Sequence, residues 1–519
     1  MSESVTPVKA GSSAFEFFRA TLNTAGLTIV RLLTGWARAK VTSLLLGTAG
    51  IGILAQANQI LLLGTSFGSL GLVNGLINRL SFNYANNDDK KTKQLFSTIF
   101  TAQLIAIVVL MTIGIIGARP LAAYFFGSAE NSNYFIITLL AIPFSVVSTN
   151  FIEAIFFARN RYDIYTKAGI WATLLGQLTV IVLTYYFGLT GAFFGILASS
   201  VLLFLFYILY LNKVETFKNV FSFGIEKSNF KDATSHGFVN LTYGALVPLA
   251  SLVIRTFLID DSGVSANGIY QVPIALTAYY TPFITNGLWA RLYPKVSAVK
   301  DPKEVDGEIT ASVRQSILVV TTFVLLLLVY PEALVLISYS SDFLPSVEVM
   351  PFQFAGDLGY FVLFNVGVFA LALNRLRVYF GFWFIYYAAL ILASYLLIPG
   401  FGVKGAALAY LICASAVGTF AMIWLVKSTS LETMRSIIGF FVLGGILIAA
   451  QCSIFSLSTN IWLRLPIPGI WMIVIAAKFL GMSSIRRATQ LFVLRGNFYE
   501  RRCVSRRLGF ALKSVDENY

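Results

Sequence analysis

A chain of 519 residues with 57% hydrophobic and only 12% charged residues, and a mean hydropathy of +0.77, departs from soluble domains, which run at roughly 45–50% and 25%. Water is excluded as its main solvent. The net charge of +14 would suggest nucleic acid in a soluble protein, but here the basic residues collect in short loops and a C-terminal tail, which points to anionic lipid instead.

Apolar stretches of about 20 residues, enough to cross a hydrocarbon core of about 30 Å, recur along the whole chain, and helices satisfy their own backbone groups there. Fourteen spans are predicted, at 19–46, 52–78, 94–117, 133–157, 167–187, 190–212, 236–259, 267–290, 312–338, 347–373, 378–398, 402–426, 436–457 and 463–482. Lys and Arg favour every second connection. One set holds Arg79, Lys90, Lys91 and Lys93; Arg159, Arg161 and Lys167; Lys213, Lys218, Lys227 and Lys231; Arg291, Lys295, Lys300 and Lys303; Arg375 and Arg377; Lys427 and Arg435. The other set offers only Arg119, Lys404 and Arg464, so both termini are expected in the cytoplasm. The expected map is a cytoplasmic N-terminus at 1–18, a first six-helix lobe at 19–212, a cytoplasmic linker at 213–235, a second lobe at 236–428, two further helices at 429–482 and a basic cytoplasmic tail at 483–519. The first span is too long and too basic for a signal-peptide core and reads as an integral helix.

In that span Thr24, Thr28, Arg31, Gly35, Arg38 and Thr42 follow at steps of four or three, which places them on one helical face. Arginine at membrane depth costs roughly 2.5–3.5 kcal/mol, so Arg31 and Arg38 are expected to face water or a partner, with Lys40 a third cation near the exported end. Snorkelling or pairing within the bundle is the bland alternative, and it fits Arg31 poorly because that residue lies about a dozen positions from either helix end. Gly64, Gly68, Gly71 and Gly75 give the second span a small-residue packing face. Gly64-Thr-Ser-Phe-Gly68 also fits a hydrolase elbow, but it lies in an apolar helix and not on a strand-to-helix turn. In the fourth span Glu153 sits near the cytoplasmic end.

The seventh span carries a related stripe of His236, Asn240, Gly244, Pro248, Ser251 and Arg255. Asn240-Leu-Thr242 matches a glycan acceptor at a depth where no glycan can be attached. Pro248, Pro273 and Pro282 interrupt the seventh and eighth spans as candidate hinges. In the tenth span Asp357 lies one turn after Gln353; it could bind a proton or Na⁺, or pair with one of the arginines, while Glu153, nearer water, could bind a proton or Na⁺ or serve a structural role. Cys413 and Cys452 fall in spans and Cys503 in the tail, so no disulfide framework is indicated. The tail interleaves eight basic residues from Arg486 to Lys513 with Leu491, Phe492, Val493, Leu494, Phe498 and Leu508, a pattern that suits docking on anionic lipid or a solvated basic segment.

Three segments recur in order. Asn74-Gly-Leu-Ile-Asn-Arg-Leu80 returns as Asn286-Gly-Leu-Trp-Ala-Arg-Leu292, and Gln59 returns as Gln271, at an offset of 212. Ala158-Arg-Asn-Arg-Tyr-Asp-Ile-Tyr165 matches Ala372-Leu-Asn-Arg-Leu-Arg-Val-Tyr379, and Phe187-Gly-Leu-Thr-Gly-Ala192 matches Phe401-Gly-Val-Lys-Gly-Ala406, at 214. Six spans separate the copies, so the repeat is parallel, about an axis along the membrane normal. Paired polar faces then meet at that axis in a central cationic cavity. Its ligand is expected to be anionic, and Arg suits a phosphate. No phosphate-cradling G-x-x-x-x-G-K-[ST] loop is present, a single histidine leaves no His-rich metal site or serine triad, and no cofactor or nucleic acid is called for, so an enzyme reading is poor.

Thr28-Ile-Val-Arg31 through Lys40 to Gly47, Gly268-Ile-Tyr-Gln271, Leu292-Tyr-Pro294 and Gln353-Phe-Ala-Gly-Asp357 resemble the Wzx-type flippases of lipid-linked O-antigen and enterobacterial common antigen, over about the first 430 residues. The resemblance implies an all-α, polytopic transporter of the multidrug/oligosaccharidyl-lipid/polysaccharide superfamily in the bacterial inner membrane. Its two lobes would rock about a V-shaped cavity and turn over an undecaprenyl-pyrophosphate-linked glycan by alternating access, powered by an ion gradient. It matches Arg31 and Lys40 to basic positions of the first helix, Arg255 to an arginine of the seventh and Asp357 to an aspartate of the tenth. Arg38 is additional to that pattern, as are the two last helices, which occur in lipid II flippases and could help form a groove for a polyprenyl tail. The expected substrate set is Arg31, Arg38, Lys40, Arg255, His236, Asn240, Gln59 and Gln271, with Asp357 and Glu153 as ion-coupling candidates. Polysaccharide polymerase and chain-length machinery are the protein partners such a pathway implies. The alternatives are a cation-coupled multidrug antiporter, against which the basic stripe argues, a lipid II type flippase, and a glycan polymerase or ligase, which would need a long exported loop.

Overall fold

The computed structural model describes residues 10–473 and 475 except 217–219, 299–300, 427–430 and 459, with some side chains inside helices, His236 and Asn240 among them, outside the described set. Every regular element among these residues is helical. The first two spans form α1 (Ala10–Ser69), and α2 (Val73–Ala85) continues the second beyond Leu70 and Gly71, both at positive φ. Next come α3 (Asp89–Ile116), a short α4 (Ala118–Phe126), and a fourth span built from α5 (Ser132–Val146), a π-helical turn at Val147–Ile152 and α6 (Glu153–Ala158). The fifth and sixth spans are α7 (Tyr162–Leu211). In the second lobe α8 (Lys227–Ser262) and α9 (Val264–Gly287) are followed by a second π-helical turn at Leu288–Leu292 and α10 (Tyr293–Ala298). Then follow α11 (Pro302–Leu327), α12 (Pro331–Ser338), α13 (Met350–Ala372), α14 (Leu376–Phe401) and α15 (Val403–Val426). The thirteenth span is α16 (Leu431–Leu457); the fourteenth begins at α17 (Ile461–Arg464), and its end and the basic tail lie outside the described residues.

Among the described residues nine helical stretches are by themselves long and apolar enough to cross a membrane, and two of these, 44 and 50 residues long, each hold two spans. The seventh and eighth spans are not among the nine: the described part of the seventh holds Arg255, Asp260 and Asp261, and Asn267, Gln271, Pro273 and Pro282 lower the hydropathy of the eighth. Helix α8 starts at Lys227, nine residues before the expected span at 236: hydropathy marks the hydrocarbon boundary, whereas the hydrogen-bonded ladder runs on into water.

Successive spans turn on a single glycine four times: Gly47 (φ 62°), Gly188 (φ 57°), Gly263 (φ 83°) and Gly402 (φ 53°). Only glycine enters this region freely, so one residue reverses the chain. All four turns follow odd-numbered spans and therefore lie on one face of the membrane. The duplication is written into the backbone as well. Gly188 and Gly402, at ψ −136° and −129°, stand 214 positions apart, as do Asn160 and Asn374, at φ 55° and 57°. Each asparagine closes a helix in the left-handed conformation, and the following arginine N–H donates back to Phe156 O or Ala370 O at 2.8 Å in both copies. The parallel two-lobe repeat is thus a property of the structure.

Each lobe has its own apolar core. In the first lobe two clusters form, one around Leu72, Phe96, Phe151 and Tyr207 and one around Ile60, Phe126, Leu139 and Phe193; in the second a continuous core runs from Ile254 through Phe361 to Trp383. Gly64 and Gly68 receive Ile142 and Val146 of α5 against their bare backbones, the packing role expected of that stripe. The thirteenth span packs on α11 and α13, where Gly444 meets Thr321. It encloses with α13 and α15 an apolar cavity of 450 Å³ bordered by Phe352, Leu411 and Phe441. Arg464, 1% exposed, fastens the last hairpin to the second lobe by pairing with Glu332 of α12 at 3.1 Å.

Candidate functional site

The second span packs along α8 and the start of α9. Gly52 lies against the backbone of Val264 and Gly268 against that of Thr48, so closely that neither position has room for a Cβ. Asn267 Nδ2 donates to Gly52 O at 2.8 Å, Gln56 Nε2 to Thr256 Oγ1 at 3.0 Å, and Ser66 Oγ to Gly244 O at 2.8 Å. At the other end Gly71 lies against Gly237. A seam of hydrogen bonds and bare backbone therefore joins the lobes.

Arginines line this seam. Arg255 of α8 is fully buried, and its guanidinium donates to Asn267 Oδ1 at 2.7 Å, Gln271 Oε1 at 2.6 Å and Ser251 Oγ at 3.2 Å. It also lies 5.5 Å from the centre of the Tyr270 ring. Asn267 and Gln271 are one turn apart on α9, so one helical face presents both amide oxygens to one cation. Gln271 also borders a cavity of 110 Å³ with Arg38, Thr42, Asn58 and Tyr339. Lys40 donates from Nζ to the carbonyl oxygens of Leu336 at 2.6 Å and Tyr339 at 2.7 Å, while Trp36 Nε1 donates to Ser338 Oγ at 3.0 Å. The end of the first span is thus clasped to the C-terminal end of α12.

Arg31 is exposed on the first span and lies in electrostatic contact with Glu153, Tyr165 and Tyr207. Glu153 directly follows the π-helical turn of the fourth span. None of Arg31, Arg38 and Arg255 enters an ion pair among the described residues; the pairs formed there, such as Arg159 with Glu215 and Lys295 with Glu308, join groups outside the seam.

Asp357 is fully buried on α13 and is met by three hydroxyls: Thr277 Oγ1 at 2.9 Å and Tyr280 OH on one oxygen, Tyr410 OH at 2.7 Å on the other. No cation among the described residues touches it, so of the two readings open at the sequence level, pairing with Arg31, Arg38 or Arg255 does not occur in this conformation.

Several expectations change. Arg255 does not face open space here; its charge is absorbed by neutral amides supplied across the Gly263 turn. Lys40 is held by carbonyl oxygens and not presented to the cavity. Gln271 joins Arg255 to the cavity, whereas its repeat partner Gln59 is half-buried and Asn58 borders the cavity instead. His236 and Asn240 lie outside the residues whose side chains are described. Sequence reasoning missed Asn267, Thr277, Tyr280 and Tyr410. The four-residue step from Asn267 to Gln271 carried the first of these; the others depend on helix contacts over 53 to 80 positions, which leave no local signal.

Residues 43–348 match the polysaccharide biosynthesis protein family, more than half of the chain. The chain belongs to that family. It is 21% identical over 400 residues to the lipid III flippase of Escherichia coli strain K12 and to that of Shigella flexneri, covering 76% of this chain and 94% of each relative. Its fold is similar to that of the lipid II flippase MurJ in an inward closed conformation (TM-score 0.67, 14% identity, 89% and 98% of the two chains). It is also similar to an inward-facing multidrug resistance transporter of the MATE family in the MOP superfamily (TM-score 0.61, 15% identity, 85% and 100%). Family and fold agree with the resemblance carried by Arg31, Gly268–Gln271 and Gln353–Asp357. Together they make the chain a multi-pass membrane transporter of flippase type, not an enzyme.

Proposed function

We propose that this family member translocates an undecaprenyl-pyrophosphate-linked oligosaccharide, an O-antigen type repeat unit, across the bacterial inner membrane by alternating access. The observation that carries the reading is that two arginines of symmetry-related helices, Arg38 and Arg255, lie at the lobe seam without carboxylate partners among the described residues. A buried cation without a counter-ion is costly, and neutral amides and tyrosines offset only part of that cost. A pyrophosphate entering between the lobes would complete the set: Arg38 borders the cavity already, and Arg255 needs only to exchange the Asn267 and Gln271 oxygens for phosphate oxygens, to which its planar fork is better matched. The apolar cavity against α16 supports lodging the polyprenyl chain beside the second lobe. Asp357, a buried carboxylate with hydroxyl ligands and no cation, is the position where a proton or Na⁺ would alter the charge of the second lobe and so couple it to a gradient.

In this reading both termini are cytoplasmic, the lobes span 19–212 and 236–428, and the tail from 483 rests on anionic lipid, near polysaccharide polymerase and chain-length machinery. The test is reconstitution of the full chain with undecaprenyl-pyrophosphate oligosaccharide, following leaflet exchange with and without an imposed gradient. Exchange by the wild type that is lost in Arg38→Ala and Arg255→Ala supports the reading; no exchange by correctly inserted wild type, or undiminished exchange in both variants, overturns it.

A further inference from the structure

Within the second lobe lies a cavity of 370 Å³, separate from the one at the Arg38 seam and within the range of small-ligand sites, about 300–1,000 Å³. Five tyrosines from four helices border it: Tyr270 of α9, Tyr360 of α13, Tyr386 and Tyr387 of α14, and Tyr410 of α15. Four of the rings form one connected group, with Tyr360 5.9 Å from Tyr386 and 6.2 Å from Tyr410, and Tyr386 4.8 Å from Tyr387. Gln353 borders the same space, is 4% exposed, and its amide oxygen has no hydrogen-bond partner. Leaving a buried acceptor empty costs about 1–3 kcal/mol, so a donor from a ligand would be gained at this point.

From this arrangement we infer that the cavity is a saccharide subsite, which takes one neutral pyranose ring of the transported glycan; the inference rests on the flippase reading and adds to it where the sugar is held. The ring faces of tyrosine carry the negative side of the aromatic quadrupole, and the axial C–H bonds of a pyranose present a weakly positive apolar face that stacks on it. The hydroxyl or acetamido groups around the rim of the sugar supply the donor that Gln353 lacks. Two competing occupants fit less well. An organic cation in this aromatic cage would be repelled by Arg255, which already lies against Tyr270, and would gain little from Asp357, whose two oxygens are turned to Thr277, Tyr280 and Tyr410. A polyprenyl chain would leave the Gln353 oxygen empty.

The test uses the full chain in lipid nanodiscs and follows its unfolding temperature against free glucose, galactose, N-acetylglucosamine and N-acetylgalactosamine, with tetraphenylphosphonium and inorganic pyrophosphate as the contrasting probes. In the wild type at least one neutral sugar raises the unfolding temperature saturably. Gln353→Leu removes an unsatisfied amide oxygen and so folds as well as the wild type, but weakens that sugar about fivefold, the scale of one net hydrogen bond, and leaves the pyrophosphate response unchanged. The inference is overturned if no sugar shifts the wild type, if Gln353→Leu binds the sugar equally well, or if tetraphenylphosphonium and not sugar shows the Gln353 dependence. Leaflet exchange of the lipid-linked glycan is scored alongside. Normal exchange with no sugar response removes the subsite alone, whereas absence of exchange in the wild type removes the flippase reading itself.

Discussion

The ammonium of Lys40 sits between the carbonyl oxygens of Leu336 and Tyr339, joining the end of the first span to the C-terminal end of α12 in the other lobe. Hydrogen bonds from a charged donor contribute about 1.5–3 kcal/mol each, so this clasp is a main restraint on separating the lobes at that end. Lys40→Met is expected to raise the labelling rate of a cysteine at Ala39, in a background with Cys413, Cys452 and Cys503 replaced, by at least about tenfold, as about 1.4 kcal/mol of lost restraint implies. An unchanged rate would show that the clasp does not hold the lobes.

The glycines at the closest point of the seam act in the same equilibrium through sterics. A Cβ at Gly268 meets the Thr48 backbone, which cannot yield as a flexible side chain does. Gly268→Ala should therefore leave insertion intact and displace the protein from this closed arrangement. Spin-label distances between the second span and α9 should lengthen, and exchange should fall at least about tenfold, as a shift of about 1.4 kcal/mol against one required state implies. Distances and exchange like those of the wild type would sink the argument.

Repeat symmetry makes a paired prediction. Asn160 and Asn374 both hold left-handed backbone, which costs most other residues about 1–2 kcal/mol. Asn160→Ala and Asn374→Ala should each destabilise by about that amount in thermal unfolding, and Asn→Gly at either site should be neutral within a few tenths of a kcal/mol. Opposite behaviour at the two sites would show that the lobes do not share this device.

Asp357→Asn keeps an oxygen for the hydroxyls while fixing the charge at zero. If Asp357 carries the coupling ion, the variant should exchange lipid-linked glycan at one rate whether or not a pH or Na⁺ gradient is imposed, whereas the wild type accelerates under one of them. A variant that still responds to the gradient moves coupling elsewhere, with Glu153 beside Arg31 the next candidate.

How much of this could be read from the sequence depends on the distance over which each feature is encoded. The spans and the duplication were legible because hydropathy is local and because Asn160, Asn374, Gly188 and Gly402 each specify a backbone conformation by residue type alone. The arginine stripe was legible as a stripe, but the partners were not. Arg255 meets Asn267 only because Gly263 reverses the chain, and Lys40 finds its carbonyls about 300 positions away, acceptors that any residue type would offer. The π-helical turns at 147–152 and 288–292 carry no residue signature and were missed, although one of them sets the orientation of Glu153.

The four hairpins that reverse on Gly47, Gly188, Gly263 and Gly402 leave almost no connecting chain at those four points, and the longer connections on that side of the bilayer are α4 and the stretch from α12 to α13. A one-residue joint has two rotatable angles, so helices joined this way must swing together as rigid pairs, and large rearrangements fall to the longer links of the opposite side. Reporter tags, proteases and antibodies would find little purchase at those four joints. Topology mapping of that side should instead aim at α4 and at the segment between α12 and α13.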